Sequence, residues 1–182
     1  MRNRRQEILE EALNYLLDHG VADLSLRPLA AKAGTSARLL VYHFGSKEGL
    51  LTAVMDELRA RIQSSFSTVA APAVSRDSDP LSGFWKWASA PEHLRYLRLL
   101  YEVQVLALQR PDEFSQYLDR TSQSWLVLVE SAIPAAKRNA ALATLCVAVI
   151  DGLVLELLST GDRRRTTRAL QMFRVMIHSH NP

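Results

Sequence analysis

The chain has 182 residues, enough to bury a sizeable core in one or two domains. Hydrophobic residues make up 48% and charged residues 23%, an ordinary globular balance, and a net charge of +3 permits a nucleic-acid partner without requiring one. The single cysteine, Cys146, excludes an internal disulfide and fits a reducing compartment.

Residues 2–5 (RNRR) form a short basic arm that would either attract phosphate or sit in solvent. No apolar signal core follows it, so a cytoplasmic chain is expected. From Arg5 to His19 the pairs Ile8–Leu9, Ala12–Leu13 and Leu16–Leu17 repeat every four residues, predicting an amphipathic helix that Gly20 stops. Two short helical patterns follow, Leu26–Ala33 and Ser36–Phe44, joined at Gly34-Thr35. Ser25 is the expected N-cap of the first, and Pro28 falls in its first turn, where a missing N–H costs little. Leu26, Leu29, Ala30, Ala33, Leu40 and Phe44 fall where the two helices must pack, leaving most of the second helix facing outward. That is the layout of a helix-turn-helix, whose second helix enters the major groove of DNA.

A fourth helix is expected from a Ser46 cap through Leu50, Leu51, Val54, Leu58 and Ile62. Lys47 stands in its first turn, against the helix dipole, which a nearby phosphate would explain. Between Ser64 and Gly83 the composition shifts to Ser, Ala, Pro and Asp, which marks a boundary between domains 1–63 and 64–182. Beyond it, helices are expected at Phe84–Ala88, Glu92–Gln109, Asp112–Ile133, Lys137–Thr160 and Arg163–His180. No segment alternates as a strand does, so the class is all-α. The run from Leu142 to Leu158 is apolar nearly all round. Asp151 and Glu156 argue against a membrane span, and a four-helix interface with a second copy would cover it.

Residues 8–55, about a quarter of the chain, resemble the N-terminal domain of TetR-family transcriptional regulators. The resemblance rests on Gly20, Ser25-Leu26-Arg27, Ala30, Ala33-Gly34, Ser36, Leu40 and the phrase Tyr42-His43-Phe44-Gly45-Ser46-Lys47-Glu48. The segment 149–162 also looks like the family's dimerising helix. The resemblance implies a homodimer that binds a palindromic operator, most often as a repressor released by a small-molecule ligand held in the C-terminal domain. It implies DNA contact by Arg27 from the supporting helix, base-edge and backbone contact by Ser36, Ala37, Arg38 and Leu39, backbone contact by Tyr42 and His43, and phosphate binding by Lys47. Two positions depart from the family pattern: Arg38 replaces a small residue and Val41 replaces a tyrosine. Arginine can pair with the O6 and N7 of guanine; a phosphate contact or an ion pair with Glu48 is the alternative use of Arg38.

Other chemistry has little support. The five histidines are scattered, no glycine-rich phosphate loop or nucleophile elbow is present, and neither metal nor cofactor is expected. Trp85, Tyr101, Glu102, Gln104, Trp125 and Asp151 are the candidates for lining a ligand site, with Trp87 and Tyr96 beside them. The competing reading is an all-helical enzyme or ligand-binding module whose N-terminal domain serves another interaction.

Overall fold

The computed structural model describes residues 4–22, 24–70, 80–114 and 139–179, together with positions 117, 123, 126, 127, 129, 130 and 133. Among the described residues there is no strand. The helices are α1 (Arg4–His19), α2 (Leu26–Lys32), α3 (Ala37–Phe44), α4 (Lys47–Ala70), α5 (Pro80–Ala88), α6 (Pro91–Gln109), α7 (Ala140–Thr160) and α8 (Arg163–Ser179). The helix expected over Asp112–Ile133 lies mostly outside the described residues, and so does Trp125.

The chain divides into two compact units, one of residues 1–64 and 95–119, the other of 65–94 and 120–182. In the first, α1 buries Ile8, Leu9, Ala12, Leu13 and Leu16, the stripe its four-residue repeat predicts. α2 adds Leu29 and Ala30, and α3 adds Leu40 and Phe44. Leu50, Leu51, Val54, Met55, Leu58 and Ile62 of α4 complete this core with Leu97, Leu100 and Val103 of α6. Burying each such side chain is worth about 1.5–3 kcal/mol, so packing rather than propensity holds helices as short as α2 and α3.

Caps set the helix ends. Ser36 Oγ accepts from Leu39 N at 3.2 Å, and Ser46 Oγ accepts from Gly49 N at 3.0 Å. Ser25 occupies the N-cap position of α2 in an extended conformation, but its hydroxyl makes no capping bond. The expected cap is there in backbone only. On α6 Leu97, Leu99, Leu100, Val103 and Ala107 are buried, while Val105 and Leu108 are exposed. That helix has apolar residues on more than one side, and the neighbouring helices decide which side is covered.

In the second unit, α7 buries Ala143, Cys146, Ile150, Val154 and Leu157 along one side. Asn139 Oδ1 caps its start by accepting from Leu142 N at 2.9 Å, and Gly161 ends it in the left-handed region. Trp85 Nε1 of α5 donates to Thr167 Oγ1 of α8 at 2.9 Å. Trp87 stacks on His93 with ring centroids 4.3 Å apart. By length and composition α7 is apolar enough to cross a membrane, with a mean hydropathy of 2.2 and 28% of that window buried. Its outward side carries Ala141, Leu145, Ala148, Gly152 and Leu155 in a row at helical spacing. α8 likewise turns Met172, Val175 and Met176 outward.

Candidate nucleic-acid interface

The turn between α2 and α3 is built from backbone. Thr35 N donates to Ala30 O at 2.9 Å and Gly34 N to Ala31 O at 3.2 Å, the paired bonds of a Schellman termination. Gly34 takes a φ of +59° to make them, a conformation open to glycine at little cost. The chain then re-enters helix at once, because Ser36 caps α3 from two residues further on. A tight turn of this kind gives α3 a fixed direction relative to α2.

α3 therefore has an inner and an outer side. Leu40 and Phe44 are buried, while Arg38, Leu39, Val41 and Tyr42 are exposed, Tyr42 to 80%. Ala37 and His43 are half-buried. His43 lies edge-on to Tyr42 at 5.3 Å and to Phe44 at 6.3 Å, which places it between the outer row and the core. Arg38 has no hydrogen bond or ion pair among the described residues, so no bond to Glu48 holds it. Arg27 is exposed on α2, and Lys47 is half-buried at the first position of α4. The first unit thus contains all eight sequence-predicted DNA residues, spread over α2, α3 and the starts of α3 and α4.

The ligand candidates are divided. Tyr101, Glu102 and Gln104 fall in the first unit, Trp85 and Asp151 in the second. Trp85 is 4% exposed and donates to Thr167. Glu102 accepts from Arg98 Nε at 2.9 Å and from Val21 N at 3.1 Å, so its carboxylate has partners within the chain. Tyr101 and Asp151 also make interactions of their own. Gln104 differs: its buried Oε1 has no hydrogen-bond donor among the described residues.

Sequence reading missed two contributors to the helix-turn-helix. Arg4 donates to Gly34 O at 2.8 Å and Ala33 O at 3.4 Å. Gly49 is the other, since a Cβ there would lie 2.1 Å from Phe44 O. Neither leaves a periodic signal, because each acts through a backbone carbonyl that only the folded chain brings near.

The family description "Bacterial regulatory proteins, tetR family" matches residues 8–54, which span α1 to the first half of α4. Over nearly the whole chain, the HTH-type transcriptional repressor AcnR of Corynebacterium diphtheriae is 26% identical, with 98% of this chain and 94% of AcnR covered. Residues 8–54 are those of a TetR-family N-terminal domain, and over nearly its whole length the chain is similar to a transcriptional repressor. A TetR-family regulator from Rhodococcus sp. shares the fold at a TM-score of 0.77 and 22% identity, covering 94% of this chain and 97% of that one. The multidrug binding protein EbrR, solved with imidazole, superimposes at a TM-score of 0.68 with 26% identity, covering 93% of this chain and 88% of EbrR. Residues 8–54 are accordingly the helix-turn-helix of a DNA-binding TetR-family regulator.

Proposed function

We propose that this TetR-family chain acts as a homodimeric repressor that reads a palindromic operator with α3 of each copy and is released by a small molecule. The observation that carries the reading is α3, which buries Leu40 and Phe44 yet turns Arg38, Leu39, Val41 and Tyr42 outward. An eight-residue helix that exposes large apolar side chains beside a guanidinium with no partner among the described residues is fitted to meet a partner surface. In this reading Arg38 pairs with a guanine edge, Leu39 touches a thymine methyl, and Ser36 and Ala37 face base edges or nearby backbone. Arg27, Tyr42, His43 and Lys47 hold phosphates, which fixes register without reading sequence. Residues 1–63 form the reading domain, and residues 64–182 dimerise and bind the effector in the cytoplasm.

Repression is supported by the description of AcnR as a repressor. The second copy is supported by the outward apolar rows of α7 and α8, Leu145 and Leu155 on one and Met172, Val175 and Met176 on the other. Two such rows from each copy would make a four-helix interface. The effector is supported by EbrR, which has been solved with imidazole, proflavin and ethidium. Gln104 is the first polar group to examine for effector contact, since a ligand donor would satisfy its buried oxygen. Trp85, Tyr101, Glu102, Trp125 and Asp151 remain candidates, Trp85 and Glu102 already holding partners.

The deciding experiment is selection of bound fragments from genomic DNA by the purified full chain, followed by titration at several salt concentrations. A palindromic duplex with half-sites about 10 base pairs apart, bound with steep salt dependence, is the expected result. A well-folded protein that enriches no fragment at low salt would overturn the reading.

A further inference from the structure

Charge attraction to phosphate is one use of the basic arm at the start of the chain, but Arg4 and Arg5 both contact the protein itself. Arg4 sends one guanidinium nitrogen, Nη2, to two carbonyls of the α2–α3 turn, Gly34 O at 2.8 Å and Ala33 O at 3.4 Å. Its other nitrogen, Nη1, donates to Glu7 Oε2 at 3.1 Å, one turn along α1, which orients the fork. The Schellman bonds satisfy Ala30 O and Ala31 O and leave the carbonyls of Ala33 and Gly34 outside the helix ladder. Arg4 supplies donors to both, and its charge sits at the C-terminal end of α2, where the helix dipole favours a cation. The next residue, Arg5, lies over the ring of Phe44 with its guanidinium carbon 4.8 Å from the centroid.

Gly34 and Phe44 bracket α3. One lies two residues before its cap and the other is its last residue. An eight-residue helix is about 12 Å long, so two adjacent side chains of α1 meet the reading helix at both ends. We propose that Arg4 and Arg5 are positioning residues for sequence recognition, a two-point brace that fixes the angle of α3 against α1 and α2. They act through the Gly34 carbonyl and the Phe44 ring and need not touch DNA themselves. The inference rests on α3 being the element that reads DNA.

The test uses the full chain, the variants Arg4→Gln, Arg4→Lys and Arg5→Ala, and duplexes selected from a randomised pool by the unaltered protein. Without DNA, Arg4→Gln should speed amide exchange in peptides covering residues 33–40, while those from 8–16 in α1 keep their protection. Arg5→Ala should act at residues 40–44 instead. With DNA, Arg4→Gln should weaken binding roughly 5–10-fold and broaden base preference, the size expected when one charge-assisted bond is lost. The slope of log affinity against log salt should not change. Arg4→Lys should recover only part of the loss, because one ammonium cannot reproduce a fork that spans the turn and Glu7. A slope lower by about one with preference intact would show a phosphate contact and overturn the proposal. Unchanged exchange at 33–40, or full recovery with lysine, would overturn it as well. If the unaltered protein selects no duplex, α3 is not a reader, and the exchange measurements still decide whether the brace exists.

Discussion

Arg38 stands on the outer side of α3 without a partner among the described residues, so its planar donor fork is available to a base edge. A bidentate guanine contact is worth about 1–3 kcal/mol of discrimination. Arg38→Ala should therefore flatten preference at one operator position in a selection experiment, leaving the other positions unchanged. Uniformly weaker binding with intact preference would assign the residue to phosphate. Gly49 makes a different prediction at the same scale. A methyl group there would collide with the Phe44 carbonyl oxygen at 2.1 Å, and backbone cannot move aside as a flexible side chain can. Gly49→Ala should cost roughly 2–4 kcal/mol in urea unfolding, since α3 and α4 must part to admit it. Gly83→Ala is the control: open space surrounds that position within α5, and a gain of about 0.5–1 kcal/mol is expected there.

Between elements, α6 meets the end of α1 and the connection after it through two contacts that look alike in a list of charges but differ in worth. Glu102 accepts from the backbone N–H of Val21, which is buried, and from Arg98. Removing the carboxylate leaves that N–H unsatisfied, a loss of about 1–2 kcal/mol. Arg95 and Asp18 pair at 3.5 Å with side chains 47% and 62% exposed. Exposed pairs of this kind contribute about 0–1 kcal/mol. Denaturant titration should thus show a clear loss for Glu102→Ala and a change within about 0.5 kcal/mol for Arg95→Ala. Equal effects would mean that the Val21 bond carries no weight. Sequence placed Glu102 among the candidates for a ligand site; packing gives it a backbone amide, which no spacing rule could have supplied.

At the scale of the whole molecule the proposed dimer makes the sharpest demand. Gly152 lies in the outward row of α7, and a Cβ built there meets nothing within 4 Å. A single chain can therefore accept a large side chain at this position, whereas a closely packed partner helix could not. Gly152→Leu should keep the helical content of the wild type but shift sedimentation from dimer to monomer at micromolar concentration, with operator binding lost in parallel. A variant that remains dimeric would remove α7 from the interface. Coupling between effector and operator belongs to this scale too, because it needs a ligand with different affinity for the DNA-bound and released states.

The order of residues by itself determined the helical class, the amphipathic stripe of α1, the helix-turn-helix between Gly20 and Ser46, and the end of α7 at Thr160. Those features are local: periodicity, caps and glycine act within one or two turns of chain, and the family phrase at 42–48 lies in the same stretch. Tertiary structure alone decided which side of α6 is buried, because that helix offers more than one apolar face. It alone gave Glu102 its amide partner and brought Arg4 and Arg5 to the two ends of α3. Those outcomes depend on groups 29 to 81 residues apart in the chain, and on carbonyls and amides that every residue carries alike. A side-chain pattern cannot mark them, and only packing selects which of them meet.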